Sequence, residues 1–140
     1  MTKDEAKEFL NRGYQSRIRI RAKKERIENW RRIAESITAA IKPVAAFSSM
    51  PSKKVEDCVC NIIELQEEIQ EEIDGLVQVE REIGRAITKA VEDPTLRALL
   101  EMRYLNYLKW EEIAVRLDVT FRWTMTLHRR ALEEFSSKAR

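Results

Sequence analysis

The sequence contains 140 residues, the length of one domain or of one domain with an extended appendage. Apolar residues make up 44% of it and charged residues 36%, well above the roughly 25% of charge in an average globular protein. Three glycines and three prolines are too few for the frequent turns of an all-β sandwich or barrel, so the composition favours long, solvated helices.

The small net charge of +2 is unevenly distributed along the chain. Residues 1–42 contain twelve Lys/Arg and six Asp/Glu. Residues 53–93 contain five Lys/Arg and twelve Asp/Glu, and residues 94–140 contain nine Lys/Arg and six Asp/Glu. A basic segment followed by an acidic one predicts that the two segments face each other. The modestly basic end could meet a polyanion.

The residue pattern contains no signature of a metal site, a membrane segment or a catalytic centre. Cys58 and Cys60 are two residues apart in a helical pattern and so point in different directions, and His128 is the only histidine. No apolar run approaches 18 residues, and the N-terminus lacks the apolar region of a signal peptide. We therefore expect a reduced, cytoplasmic protein that is not an enzyme and needs no cofactor or metal.

An apolar stripe of helical spacing runs through the basic segment and predicts a helix from about residue 3 to 41. Its members are Ile20, Ile27, Ala34 and Ile41, with Trp30 and Ile37 between them and Phe9, Leu10, Tyr14 and Ile18 extending it toward the N-terminus. Residues 42–53 contain two prolines and three serines and are predicted to form a connector.

The acidic segment has the clearest heptad pattern and predicts a helix over about residues 53–92. Apolar residues occupy ten of eleven seam positions, the exception being Glu72, and Gly75 and Gly84 weaken the helix without ending it. The seam comprises Val55, Ile62, Ile69, Leu76, Ile83 and Ala90 at a, and Cys58, Leu65, Glu72, Val79 and Ala86 at d. Val59, Ile73 and Ile87 widen the stripe, as expected for a helix packed on more than one neighbour.

Two long helices joined by a short connector predict an antiparallel coiled-coil hairpin over residues 1–93. The opposite charges of the two helices would select this orientation, while the apolar seam would supply the stability. An intermolecular coiled coil would satisfy the same pattern, and a homodimer through the coiled coil is left open.

Residues 94–140 predict a compact unit of three short helices. Asp93-Pro94 ends the long helix and starts the next, since proline disfavours helical geometry in the preceding residue and suits a first helical turn. The short helices run from about Leu96 to Leu105, from Trp110 to Leu117 and from Phe121 to about Phe135. The fold class is therefore all-α.

The segment from Trp110 to Leu132 has the pattern of a helix-turn-helix. Ile113, Ala114 and Leu117 form one face of the first helix; Asp118 and Val119 form a tight link, and Thr120 is a suitable N-cap. In the second helix Thr124, Leu127, Ala131 and Leu132 point inward. The second helix of this motif enters the DNA major groove with its N-terminal residues toward the base edges.

The stretch Leu99–Thr120, together with Arg130-Ala131-Leu132, resembles region 4 of bacterial sigma factors. The whole chain is similar to the small sigma-like proteins of Gram-positive phages and prophages, which are related to the ArpU-type late transcriptional regulators. The resemblance implies a domain that reads a promoter element in double-stranded DNA through the start of its recognition helix. It also implies contact with host RNA polymerase through the preceding helices.

Carried over by position, the DNA-binding residues lie at the start and along the outer face of the recognition helix. The predicted DNA-binding residues begin with Thr120, directly before the helix. Phe121, Arg122, Met125 and Thr126 would contact bases, and Arg129 and Arg130 would lie near phosphates. The family usually has arginine where this chain has Phe121 and Met125, which leaves apolar contact there, for instance with a thymine methyl group. Asp118 replaces a common glycine, and aspartate tolerates left-handed geometry better than most residues.

These residues also have simpler interpretations. The arginines could be ordinary solvated helix charges, and Phe121, Trp123 and Met125 could form an apolar patch that binds another protein, although Trp123 alone is more typical of packing. His128 is predicted to be a surface or phosphate-adjacent side chain. The sequence thus favours a phage-type transcription regulator. The alternative is a protein-interaction module whose hairpin binds a host protein and whose helix-turn-helix is a docking surface.

Overall fold

All regular structure in the computed structural model is α-helical within the residues that it describes, 1–41 and 50–138. The described helices are α1 (Lys3–Leu10), α2 (Arg12–Ile41), α3 (Met50–Ala90), α4 (Pro94–Tyr104), α5 (Trp110–Leu117) and α6 (Phe121–Lys138). The all-α prediction is confirmed. The three short helices lie close to their predicted positions, with α6 extending three residues beyond Phe135.

The single N-terminal helix predicted over residues 3–41 is wrong in one respect, because the structure divides it at Asn11. The backbone N–H of Asn11 still donates to the Lys7 carbonyl oxygen, four residues earlier, at 2.9 Å. The backbone N–H of Tyr14 instead donates to the Asn11 carbonyl oxygen, three residues earlier, at 3.0 Å. Asparagine is a weak helix former, and the adjacent Gly13 weakens the helix further. α1 is therefore a separate helix of eight residues.

The long acidic helix begins earlier than predicted. Residues 42–49 of the predicted connector lie outside the described residues, whereas Met50 to Lys53 are already helical in α3. Pro51 is compatible with this start because the first turn of a helix needs no backbone N–H donor. The helix then continues through Gly75 and Gly84 to Ala90, as the heptad pattern predicted.

The described residues form two compact units. The central unit comprises Arg17–Gly75, and the terminal unit combines Met1–Ser16 with Leu76–Arg140. The predicted division of the chain into residues 1–93 and 94–140 stays a prediction.

In the central unit, α2 and α3 run in opposite directions. Arg19 Nε donates to Glu72 Oε1 at 3.0 Å, and Lys23 Nζ lies 3.8 Å from Glu68 Oε2, so rising numbers on α2 meet falling numbers on α3. The bond from Arg19 holds the pKa of Glu72 below its usual value. The buried apolar residues of this unit are Ile20, Ile27, Cys58, Leu65 and Ile69. Ile18 is 67% exposed, so its predicted place in the stripe is wrong.

The terminal unit has a core to which both ends of the chain contribute. Ala6 and Leu10 of α1 are fully buried, and the rings of Phe9 and Phe135 lie 5.9 Å apart. The remaining buried members of this core are Ile83, Ile87, Ala90, Val91, Leu96, Leu99, Leu100, Tyr104, Ile113, Leu127, Ala131, Leu132 and Phe135. Phe9 and Leu10 therefore pack with the C-terminal helices, whereas the sequence predicted them in the stripe of the long helix.

The loop between α4 and α5 is anchored on the start of α2. Tyr107 has a φ of 59°, an unusual value for a large side chain, and its hydroxyl donates to Glu80 Oε1 at 2.8 Å. Its ring meets that of Tyr14 edge-on, with centroids 4.9 Å apart. A Cβ atom on Gly13 would overlap the Tyr107 hydroxyl, so this close approach requires glycine. Gly13 is thus part of the tertiary packing of the terminal unit.

The corner between α3 and α4 closes as the sequence predicted. Pro94 occupies the first turn of α4, and the Asp93 carboxylate accepts hydrogen bonds from the backbone N–H groups of Thr95 and Leu96 at 2.9 and 3.0 Å. Arg97 donates to the carbonyl oxygens of Val91 and Thr88 at 3.0 and 3.1 Å. These oxygens lie at the end of α3 and would otherwise lack a partner, so Arg97 fixes the entry to the three C-terminal helices.

Candidate nucleic-acid interface

The turn between α5 and α6 places an aspartate in left-handed geometry. Asp118 has φ 54° and ψ 49°. Its N–H donates to the Val115 carbonyl oxygen at 3.2 Å, and the Val119 N–H donates to the Ala114 carbonyl oxygen at 3.1 Å. These two bonds form a Schellman motif, in which glycine is the usual residue at the left-handed position. The prediction that Asp118 preserves the turn is confirmed.

Thr120 starts α6 as the sequence predicted. Its Oγ1 accepts a hydrogen bond from the backbone N–H of Trp123 at 3.1 Å, which satisfies one of the unpaired donors at the helix N-terminus. Thr124 is fully buried one turn later, and its hydroxyl donates to the Thr120 carbonyl oxygen at 2.9 Å. The orientation of the first two turns of α6 is therefore fixed by short-range bonds as well as by packing.

The inner face of α6 packs on the terminal core, and His128 lies on this face. The prediction of a surface or phosphate-adjacent histidine is wrong. His128 Nε2 is 2.7 Å from the Tyr104 hydroxyl in a buried hydrogen bond, and the imidazole ring lies 4.5 Å from the Trp110 ring, centroid to centroid. Residues 124, 128, 131 and 135 recur at helical spacing, so the periodicity of α6 already indicated this inward position.

Burial changes the acid–base properties of His128 and of its hydrogen-bond partner Tyr104. It lowers the pKa of His128 to about 4, with smaller contributions from the cations of Lys7 and Arg103. The same burial raises the pKa of Tyr104. Both side chains are therefore neutral near pH 7, and they join α4 to the inner face of α6.

Arg103 also contacts the Trp110 ring at this junction. Its guanidinium lies 4.4 Å from the centroid of that ring and donates to the Leu108 carbonyl oxygen at 3.0 Å. The Tyr14 hydroxyl donates to the Arg103 carbonyl oxygen at 2.7 Å. Side chains from α2, α4 and α5 thus combine to hold the helices beneath α6.

The outer face of α6 carries most of the predicted DNA-binding side chains. Arg122, Arg129 and Arg130 are exposed, and Phe121 is 48% exposed. Met125 and Thr126 are half-buried, and the Thr126 hydroxyl donates to the Arg122 carbonyl oxygen at 3.3 Å. Thr120 is exposed as a residue, but its hydroxyl serves the cap. The structure therefore gathers the arginines on one accessible helix face and leaves Met125 and Thr126 less accessible.

Trp123 is a member of this exposed face that the sequence did not assign to the site. Its side chain is 42% exposed, and the Arg130 guanidinium lies over its ring at 4.9 Å from the centroid. The two residues are seven apart, which places them on one side of the helix. The indole thus restricts the orientation of Arg130, and its remaining surface is open to a ligand.

The charge of this face suits an anion. The first turn of α6 contains no acidic residue, and Phe121 to Arg130 include three arginines. The positive end of the helix dipole adds to this potential, because backbone N–H groups at a helix N-terminus favour negative groups. Glu111 and Glu112 lie in the first turn of α5, where carboxylates interact favourably with the dipole of their own helix.

The part of the chain that the structure describes does not present a metal site or a membrane span. No group of three or more histidine, cysteine, aspartate or glutamate side chains there could hold a metal ion. Among the described helices none has the length and apolar character needed to cross a membrane. Cys58 is buried and Cys60 is exposed, and both are free thiols, in agreement with their predicted divergence.

The chain was compared with protein families, with curated proteins and with solved structures. A family model described as "Protein of unknown function (DUF1492)" matches residues 46–136, a span that includes α3 to α5 and nearly all of α6. No curated protein and no solved structure matches the chain.

Proposed function

The chain belongs to the DUF1492 family, and we propose that it is a non-enzymatic, DNA-binding transcription regulator of phage or prophage type. In this proposal α5 and α6 form a helix-turn-helix similar to sigma factor region 4. The helices α2 and α3 form an antiparallel coiled-coil hairpin. The family is described only as of unknown function, and it is the chemistry of α6 that favours DNA as the ligand.

The exposed face of α6 is the observation that carries the proposal. Three arginines project from a helix whose opposite face is fixed in the terminal core, and their neighbourhood on the helix lacks carboxylates as far as Arg130. A helix that presents fixed guanidinium groups on one side suits the major groove, where arginine can contact guanine edges or phosphates. Glu133 is the next acidic residue, and it is already paired with Lys3 at 3.1 Å.

The side chains of this face divide the work of recognition. Arg122, near the helix start, is assigned to a base edge, and Phe121 and Met125 to apolar contact such as a thymine methyl group. Arg129 and Arg130, further along, are assigned to phosphates. Thr120 acts mainly through its cap, which sets the direction of the helix, and Thr126 adds polar surface between the arginines.

Salt-dependent binding to duplex DNA tests the phosphate contacts. We expect Arg129→Ala with Arg130→Ala to weaken binding to all duplexes and to reduce the slope of log affinity against log salt by about two phosphate contacts. Arg85→Ala, which removes an exposed cation from α3, is the matched control and should leave the slope unchanged. An unaltered affinity and slope in the double variant would reject this placement.

Sequence selection from a random duplex library tests the base contact. Arg122→Ala should relax the preference at one base position, with a loss of roughly 1 to 3 kcal/mol of discrimination, while the salt slope changes little. A uniform loss of affinity across all sequences would make Arg122 a phosphate contact instead.

A second candidate function is a protein-interaction module, and one observation favours it. Val115 is 79% exposed on α5, and Phe121 and Trp123 expose nearly half of their surfaces on α6. Contiguous apolar patches mark protein-binding surfaces, and in this second candidate these side chains contribute to one. Binding to purified bacterial RNA polymerase, measured with and without nuclease, separates the candidates. Nuclease-resistant association that Val115→Ser weakens, without measurable affinity for duplex DNA, would favour the second.

A further inference from the structure

A second heptad pattern runs along α3 beside the seam that faces α2. Val59, Ile63, Gln66, Gln70 and Ile73 are separated by four, three, four and three residues. At 100° per residue these five positions lie within about 40° of a common line on the helix, because 3.6 residues complete each turn. The spacing is that of a coiled-coil seam with two polar positions at its centre.

This second stripe is exposed in the central unit. Val59 and Ile63 are 44% and 48% exposed, Gln66 and Gln70 are exposed, and Ile73 is half-buried. The buried residues Cys58, Leu65 and Ile69 lie about 100° away around the helix. The stripe is therefore separate from the seam that packs α2 and α3 together, and it gives α3 an apolar face toward solvent.

Charges of opposite sign border the stripe on its two sides. Glu67 and Asp74 are exposed on the outer side of α3. On the inner side the neighbouring helix α2 presents Arg21 and Lys24, also exposed, which lie on the corresponding flank of an antiparallel pair. The ion pairs of Arg19 and Lys23 with Glu68 and Glu72 occupy the opposite flank. Glu28 lies on the same flank of α2 as Arg21 and Lys24 and is paired with Arg31 at 2.8 Å. The face thus has a predominantly basic edge, a centre of apolar and glutamine side chains, and an acidic edge.

We propose that a second copy of this chain docks on this face, with the α3 stripes of the two copies packed in parallel about a two-fold axis along the helices. This symmetry places the acidic edge of each copy beside the basic edge of the other. An antiparallel two-fold arrangement would set like charges against each other, which is unfavourable at close approach.

The pairing of the two hairpins predicts specific contacts between copies. The pairs Arg19–Glu72 and Lys23–Glu68 fix the antiparallel register of α2 and α3. In this register Lys24 is level with Glu67, and Arg21 is level with Gln70, about one turn before Asp74. Lys24 of each copy therefore meets Glu67 of the other, and the Arg21 side chain lies about one helical turn from Asp74 of the other copy. Gln66 and Gln70 face their own counterparts, and polar seam residues of this kind fix the register of parallel coiled coils.

The mass of the full chain in solution tests the docking. Sedimentation equilibrium over about 1 to 100 µM should give twice the chain mass of 16.5 kDa at the upper end. Ile63→Lys should give the single mass with unchanged helix content, since the side chain is exposed within one copy. Ile33→Lys is the matched control, because Ile33 is 45% exposed on the outer side of α2 and should leave the dimer intact. A wild-type chain that remains monomeric, or a dimeric Ile63→Lys, would overturn the proposal.

A charge exchange tests the predicted contact between copies. Lys24→Glu and Glu67→Lys should each weaken the dimer by about two- to tenfold, because each removes two symmetry-related pairs that are worth little individually. The variant carrying both changes should recover most of the affinity. Additive weakening in the double variant would refute the Lys24–Glu67 contact.

Disulfide formation tests the parallel direction. In a Cys60→Ser background, Val59→Cys and Ile73→Cys should each give self-linked dimers on oxidation, because a parallel register places each position opposite itself. An antiparallel pair centred on Gln66 would link neither variant to itself and would link the two when they are mixed. That second result would refute the arrangement proposed above.

Discussion

The buried His128 predicts that acid destabilises the protein through one identifiable group. The folded state holds the pKa of this imidazole at about 4, whereas the unfolded chain has the ordinary value of 6.5. Between these values the unfolded state binds a proton that the folded state excludes, so stability falls as the pH decreases from 6.5 to 4. Above and below this window His128 contributes no pH dependence.

The size of the effect follows from the two pKa values. At about 1.36 kcal/mol for each pKa unit, the difference between 6.5 and about 4 corresponds to a loss on the order of 3 kcal/mol across the window. Small domains have only about 5 to 15 kcal/mol of stability, so the loss is measurable. Its origin is the desolvation of a cation held between the Tyr104 hydroxyl and the Trp110 ring.

Denaturant unfolding followed by far-UV circular dichroism at about pH 7, 6, 5 and 4.5 measures this loss. The control is His128→Gln, which can keep a hydrogen bond to Tyr104 but does not titrate. Carboxylates such as Glu72, whose pKa is lowered by the bond from Arg19, also lose their stabilising contribution as the pH falls through their pKa in the folded state. They contribute equally to both proteins and cancel in the difference. Parallel stability curves for the two proteins between pH 6.5 and 4.5 would refute the assignment.

Three further changes test the packing and the turn. Gly13→Ala should destabilise the protein by about 1 to 3 kcal/mol in denaturant unfolding, because the added methyl group displaces Tyr107; an unchanged midpoint would contradict the close approach. Ile69→Asp should cost about 3 kcal/mol or more by placing an unpaired carboxylate in a site only 8% exposed, whereas Glu64→Lys on the exposed side should cost little. Asp118→Gly should keep or raise the melting temperature and Asp118→Val should cost about 1 to 2 kcal/mol, and the reverse order would refute a strained left-handed cap.

The helices could be predicted from the sequence because their signals are local. The heptads of α3, the Asp93-Pro94 corner and the inward residues of α6 each depend on spacing within one element, and the structure agrees with all three. Helical spacing also places His128 on the inner face of α6, but the predicted surface position was based on the polarity of its side chain. Periodicity was the better guide, because a single hydroxyl partner is enough to satisfy a buried neutral imidazole.

The contacts of the first sixteen residues could not be predicted in this way. Phe9 and Leu10 fit an extension of the α2 stripe equally well, and only the three-dimensional structure shows that they pack with Phe135 and the C-terminal helices. The partner of Gly13 is a tyrosine 94 positions later, whose unusual φ no local pattern specifies. At the candidate interface, the accessible arginines followed from helix spacing, whereas the stacking of Arg130 on Trp123 depends on side-chain conformation.

The terminal unit is discontinuous along the chain, and this affects the order in which the protein can fold during synthesis. Leu10 leaves the ribosome early, but Phe135 and Leu132, which complete the core in which it lies, are made more than a hundred residues later. The central unit, which is contiguous, can form meanwhile, whereas contacts of such large sequence separation form slowly because a long loop must close first. The inner side of α6 therefore packs against α1, through Phe135 and Phe9, only after both segments have been made, and the arginines on its outer face take their fixed orientation at that point.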